Sequence, residues 1–260
     1  MAQHAHKSPP SWLRALGRND LPESLSAEGR AYRLFKTFKH DFFAATGLYQ
    51  SENGHRIIYK VGRVATLMGI PLSFIGRYLA RHEARLYTAA QGIEGVPRFL
   101  GRYEKTGILH DYVEGAPLSK DGTLADDFFP RLEALLGEIH RRGIAYVDLE
   151  KRENILLGDD GRPHLIDFQI SWRTGDGFFG RSWPARRILA TLQSADRYHL
   201  YKHWRRMRPD QLNPAQIDET YQAPVWIRWH RFFFRPLTLL RRQILVWLGA
   251  RDSARVRSPG

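Results

Sequence analysis

The stretch YVDLEKRENILLGDDGRPHLIDFQIS, residues 146–171, places Asp148 before one short apolar run, Asn154 directly beside it, and Asp167 directly after a second run. The runs, Ile155-Leu156-Leu157 and Leu165-Ile166, are joined by Gly158-Asp159-Asp160-Gly161, which reads as a hairpin. Strand ends project polar side chains into one small volume. Two carboxylates and a carboxamide there offer only oxygen ligands, a set that suits Mg²⁺ or Mn²⁺ with water and substrate phosphates in the remaining positions. Without a cation, carboxylates held together repel and drive one of them to protonate. Asp and Asn are also common turn residues, so each alone has a plainer reading, and the joint pattern carries the argument.

The elements that must position this set are legible around it. Residues 1–25 are rich in polar and breaker residues and are expected to form a flexible extension. From Tyr32 to Lys60 the chain reads YRLFKTFKHDFFAAT, a turn at Glu52-Asn53-Gly54-His55, then RIIYK; Asn-Gly between such runs signals a hairpin. A helix is expected over Arg77–Ala90, strands over Arg98–Tyr103 and Ile108–Val113, and a second helix over Phe128–Arg142. That second helix would bury Phe128, Leu132, Leu135, Leu136 and Ile139 at helical spacing and stop before Gly143. The remainder reads mostly as helix. Strands in front and helices behind predict an α+β chain of two lobes.

With 260 residues and 43% hydrophobic content, the chain can bury a real core. It has no cysteine, which excludes disulfides and thiolate metal sites and fits a reducing, cytoplasmic compartment. The opening MAQHAHKSPPSWLRALGR lacks an apolar h-region, so no secretory leader is expected. The longest weakly polar stretch, Val64 to Gly76, has 13 residues and a proline, which suits a buried or interfacial segment and not a span. The net charge of +13 points to an anionic partner. Residues 197–260 hold 13 Lys+Arg against 4 Asp+Glu, so most of the excess lies in the last quarter.

On these residues the chain resembles the protein-kinase-like superfamily, whose catalytic loop reads HRDxxxxN and whose metal loop reads DFG. Here HRRGIAYVDLEKRENILL, with His140 and Gly143-Ile144 before the loop, precedes LIDFQIS. The resemblance implies a bilobal fold with a small β-rich N-lobe, and ATP with Mg²⁺ (or Mn²⁺) as cofactors. It assigns Asp148 as base or orienter for an acceptor hydroxyl, Lys151 to the transferring phosphoryl group, and Asn154 and Asp167 as metal ligands. Lys60, ending RIIYK, resembles the strand lysine of VAIK. Leu79, Glu83, Leu86 and Ala90 share one helix face, where a glutamate is costly unless paired, and Lys60 is the candidate partner. GILHDYVEGAPL resembles the hinge, with His110 as gatekeeper and the backbone of Asp111, Tyr112 and Val113 meeting adenine. The implied boundaries are an extension over 1–25, N-lobe and hinge over 26–113, C-lobe over 114–220, and a basic amphipathic tail over 221–260.

The chain departs from the family pattern in several places. Where GxGxxG should cover the phosphates, KHDFFAATGLYQSENG offers only Gly47 and Gly54. Asp148 and Asn154 are six residues apart rather than five, Val147 replaces the arginine of HRD, Gln169 replaces the DFG glycine, and no APE signal follows. Ninety-three residues follow Asp167, so an abbreviated C-lobe is expected. In these respects the chain looks like small atypical bacterial kinases, resembling lipopolysaccharide-core (Kdo/heptose) kinases and RIO-type serine/threonine kinases. Protein Ser/Thr and glycolipid sugar hydroxyls both stand as acceptors. A membrane-associated pseudokinase scaffold is the rival. In the tail, Leu237, Leu240, Ile244 and Leu248 fall on one helical face with Arg241 and Arg242 off it. Such a helix suits either an anionic membrane surface or packing on the C-lobe. No nucleic-acid-binding module is visible, so nucleic acid is not an expected partner. Asp196 reads as a brace for the catalytic loop or, more plainly, as a solvated helix residue.

Overall fold

A computed structural model describes residues 11–67, 70–119, 124–175 and 182–221. The tail expected over 221–260 lies outside these residues except for Tyr221. In chain order the elements are β1 (Ser24–Ala27), β2 (Arg30–His40), β3 (Ala44–Ser51), β4 (Arg56–Gly62), the two-residue strands β5 (Thr66–Leu67) and β6 (Ile70–Pro71), and α1 (Ser73–Ala90). Then come β7 (Phe99–Tyr103), β8 (Gly107–Asp111), β9 (Gly115–Pro117), α2 (Phe128–Arg141), β10 (Ile144–Ala145), β11 (Ile155–Gly158), β12 (Pro163–Leu165), β13 (Trp172–Arg173), α3 (Trp183–Met207) and α4 (Pro214–Tyr221). This is the expected α+β organisation, and its order through β12 is the one the kinase resemblance implies. Among the described residues, one compact unit holds 11–80 with 102–109, and the other holds 81–101 with 110–221.

A six-stranded sheet runs in the order β1-β2-β3-β4-β8-β7. The β3–β4 hairpin turns at Glu52–His55, as Asn53-Gly54 predicts, with Gly54 at φ +83 where a side chain would be strained. The stretch YRLFKTFKHDFFAAT is not one run. It breaks into β2 and β3 at Asp41-Phe42-Phe43. Asp41 makes the turn without glycine or proline, because its carboxylate accepts the N–H groups of Phe43 and Ala44 at 2.9 and 3.0 Å. Burial pushes the Asp41 carboxyl up, but the Lys39 ammonium and these two backbone donors outweigh it and hold it below the usual range.

Residues 11–25 are not the expected loose extension. Leu13, Ala15, Leu21 and Leu25 are buried, and Ala15 donates to the carbonyl of Asp41 at 2.7 Å. The Ala15 carbonyl accepts from Val64 and Ala65 at 3.0 Å each. Arg63, buried beside this junction, places its guanidinium 4.1 Å from the Phe42 ring and donates to the carbonyls of Phe42 and Ala65 at 3.0 and 3.1 Å. Apolar side chains every few residues fix the segment despite its polar composition. Val64–Gly76, expected as a buried or interfacial segment, contributes β5, β6 and the first turn of α1 among its described residues, with Val64 and Phe74 exposed. Gly62 and Gly76 let β4 and α1 touch, since a Cβ on Gly76 would lie 2.3 Å from the Arg63 carbonyl.

In the second unit, α2 buries Phe128, Phe129, Leu132, Leu135, Leu136 and Ile139, each side chain contributing about 1.5–3 kcal/mol. Phe129 stacks on Trp204 of α3 at 5.4 Å, and Tyr201 of α3 donates to Glu133 of α2 at 2.6 Å. The expected hairpin is present as antiparallel β11 and β12, with Ile155 opposite Leu165; β9 pairs on the other side of β11. Together α2, α3 and this small sheet hold the two loops that carry Asp148 and Asp167.

Candidate functional site

Asp148 lies three residues past β10, buried, at the start of a loop that closes on itself twice. Lys151 N–H donates to the Asp148 carbonyl at 3.2 Å, and Asn154 N–H donates to the Lys151 carbonyl at 3.1 Å. Two successive three-residue turns bring side chains 148, 151 and 154 to one side. Lys151 Nζ reaches Asp148 Oδ2 at 2.6 Å, and Asn154 Nδ2 donates to the same oxygen at 2.8 Å. The six-residue spacing therefore closes geometrically. Burial raises the Asp148 carboxyl above the ordinary range, Lys151 pulls it back, and the charge of Asp167 pushes it up again.

The backbone before Asp148 is strained and held. Val147, a β-branched residue, sits at φ +70. Asp196 on α3, 0% exposed, accepts the N–H groups of Tyr146 and Val147 at 2.7 Å each and lies 3.0 Å from His140 Nε2. The plainer reading of Asp196 as a solvated residue is thus overturned. A buried carboxylate here satisfies two donors that the loop conformation exposes. His203, also buried, donates from Nε2 to the Leu149 carbonyl at 2.8 Å.

The metal-loop candidate is positioned from both sides of one peptide group. Tyr146 Oη donates to the carbonyl of Ile166, and Asp167 N–H donates to Tyr87 Oη at 3.4 Å. Asp167 itself sits at φ +63. Tyr146 meets the Phe168 ring at 5.2 Å, Phe168 meets Tyr87 at 5.0 Å, and Tyr87 stacks on His110 and Phe99 at 5.2 and 5.8 Å. Burial raises both tyrosine hydroxyls far above their usual range, with Glu83 and Asp167 adding to the effect at Tyr87. Both stay protonated and serve as hydrogen-bonding groups.

Asn154 turns its amide nitrogen to Asp148, so its amide oxygen and the Asp167 carboxylate are the groups that would face a cation. These hard oxygen donors fit Mg²⁺. Among the described residues no group of three or more His, Cys, Asp or Glu converges as a metal site, so such an ion would complete its shell with water and phosphate oxygens.

The other expected residues are placed as follows. Lys60 lies half-buried on β4, opposite Thr46 of β3. Glu83 is buried on α1, on the face shared with Leu86 and Ala90. Asp111 ends β8 and bonds Arg98 Nε through its carboxylate at 2.9 Å; its N–H donates to the Arg98 carbonyl and its own carbonyl lies 2.8 Å from His110 Nδ1. Tyr112 and Val113 follow, half-buried. The sequence reading did not single out Tyr87 or Tyr146. The available signal was position: Tyr87 stands four residues after Glu83 on the buried stripe, and Tyr146 two before Asp148.

No family model matches the chain, and no curated protein matches it. Among solved structures, two of the Rio2 kinase from Chaetomium thermophilum match, one of them the ADP/Mg²⁺-phosphoaspartate complex. Each has a TM-score of 0.49 and 15% identity, and the matches cover 74% and 72% of this chain. The chain spans 62% of the length of each of those chains. Among the described residues, no helix is long and apolar enough to cross a membrane.

Proposed function

We propose that the chain is an ATP- and Mg²⁺-dependent phosphotransferase acting on a hydroxyl group, with a protein Ser/Thr or a lipopolysaccharide-core sugar as acceptor. The observation that carries this reading is the Asp148–Lys151–Asn154 cluster, electrostatically coupled to Asp167. Asp148 orients the acceptor hydroxyl and takes its proton as the oxygen bonds to the γ-phosphorus and ADP leaves. Lys151 favours the ionised form of Asp148 against the effect of burial and offers positive charge to the transferring group. Asn154 and Asp167 would hold Mg²⁺, whose charge would offset that of the nucleotide phosphates. Lys60 and Glu83 are the proposed α/β-phosphate pair, and the backbone of Asp111–Val113 the adenine contact.

The second reading is a pseudokinase scaffold, and one observation favours it. The β2–β3 turn, which by the resemblance would cover the phosphates, contains no glycine. Its Phe43 and Ala44 N–H groups are already bound by the Asp41 carboxylate. Isothermal titration with ATP separates the readings: binding that needs Mg²⁺ and is lost in Asp167→Ala supports the phosphotransferase. Equal affinity in the two proteins, or binding indifferent to Mg²⁺, supports the scaffold.

A further inference from the structure

The outer edge of β2 carries a feature independent of the proposed reaction. In the β2–β3 ladder, Leu34 and Lys36 pair with the adjacent residues Tyr49 and Leu48, and Thr37 and Lys39 with the adjacent residues Gly47 and Thr46. The ladder therefore skips one residue twice, and both skipped residues are phenylalanines, Phe35 and Phe38. They are 61% and 46% exposed. Bulges re-aim side chains and are structural features in their own right. Two bulges three residues apart leave about half of two large apolar side chains facing solvent, where that surface forfeits its burial energy.

The surroundings are basic. Residues 30–40 hold Arg30, Arg33, Lys36, Lys39 and His40 and no acid. The Arg56 guanidinium lies 5.3 Å from the Phe35 ring and Lys36 Nζ lies 5.4 Å from the Phe38 ring. Asp41, the nearest acid along the chain, is engaged by Lys39 at 2.8 Å. β1 pairs with β2 from Arg30 to Arg33, and Leu34 N–H also donates to the Glu23 carbonyl at 2.8 Å. Beyond that point β2 has β3 on one side and, among the described residues, no strand on the other. Residues 35–39 are all exposed, so both faces of this edge meet solvent.

We infer that this bulged edge docks on an anionic lipid surface, with Phe35 and Phe38 entering the interface and Arg33, Lys36, Lys39 and Arg56 meeting headgroup phosphates. Addition of a peptide strand is disfavoured, because bulges and lysines are the devices by which edges resist pairing. Single-stranded nucleic acid is a poorer fit. Base stacking needs accessible ring faces at base spacing, whereas one face of each ring is covered by a cation and the two residues lie about 10 Å apart along a strand.

The test uses the full chain with phosphatidylglycerol and with phosphatidylcholine vesicles, read by sedimentation, and a labelled single-stranded oligonucleotide read by anisotropy. Wild type should bind phosphatidylglycerol vesicles selectively and lose binding as salt rises. Phe35→Ser/Phe38→Ser and, separately, Arg33→Glu/Lys36→Glu should each weaken vesicle partitioning by about tenfold or more, with thermal unfolding of both variants near that of wild type. Wild type that stays in solution, or variants that partition as wild type does, would overturn the inference. Oligonucleotide binding lost in the variants while vesicle partitioning holds would overturn it in favour of nucleic acid.

Discussion

Asn154 donates its side-chain amide to Asp148 Oδ2 at 2.8 Å across six residues of chain, and Lys151, midway between them, reaches the same oxygen at 2.6 Å. The two turns that produce this contact make Lys151 an electrostatic control on Asp148. Burial and Asp167 raise the Asp148 carboxyl, while Lys151 and Asn154 lower it. Activity that needs ionised Asp148 should therefore rise with pH through a limb lying above the ordinary carboxylate range. Lys151→Met should move that limb to higher pH as well as lowering kcat. A pH profile of kcat/KM checks this, and an unmoved limb would count against the coupling.

Asp196 is expected to matter for stability as much as for turnover. Asp196→Ala leaves the N–H groups of Tyr146 and Val147 without their buried acceptor while Val147 remains at positive φ. The cost should be about 3 kcal/mol or more. Asp196→Asn, which keeps one acceptor oxygen, should fall between. Denaturant unfolding of the three proteins measures the order.

The two tyrosines that grip the Ile166–Asp167 peptide should act on metal binding rather than on the acceptor. Tyr146→Phe and Tyr87→Phe keep the ring contacts with Phe168 and remove only a hydroxyl, at about 1 kcal/mol of stability each. Mn²⁺ affinity in the presence of ADP, followed by electron paramagnetic resonance, should fall several-fold in each. Unchanged Mn²⁺ affinity would mean that the hydroxyls do not position Asp167.

At the β2–β3 turn, Asp41→Asn removes a carboxylate while keeping an acceptor for Phe43 and Ala44. If that turn covers the phosphates, ATP should bind several-fold tighter, as the loss of one nearby negative charge predicts. Titration of ATP into wild type and variant gives the answer, and an unchanged Kd would place the phosphates elsewhere.

Much of this was legible from residue spacing. Both α1 and α2 announced themselves by apolar side chains at helical intervals, the β3–β4 hairpin by Asn53-Gly54, and the loop by its acids. The β2–β3 turn was not legible, because Asp41 bends the chain with its side chain and Phe42-Phe43 carries no turn signal. Burial of residues 11–25 rests on Leu13, Ala15, Leu21 and Leu25, scattered among polar neighbours with no period to find. The role of Asp196 was obscured for a related reason. The buried face of α3 includes Asp196, His199 and His203, so hydrophobic periodicity misplaces its inner side. The two bulges of β2 depend on pairing with β3, which one strand's sequence does not specify.

The most direct measurement is transfer of label from γ-labelled ATP with Mg²⁺ into bacterial membranes and cytosol, resolved into protein and glycolipid, with Asp148→Ala as control. The account predicts label that depends on Asp148, appearing in glycolipid for a sugar-hydroxyl acceptor or in protein for a Ser/Thr acceptor. Equal label with wild type and Asp148→Ala in every fraction would contradict it.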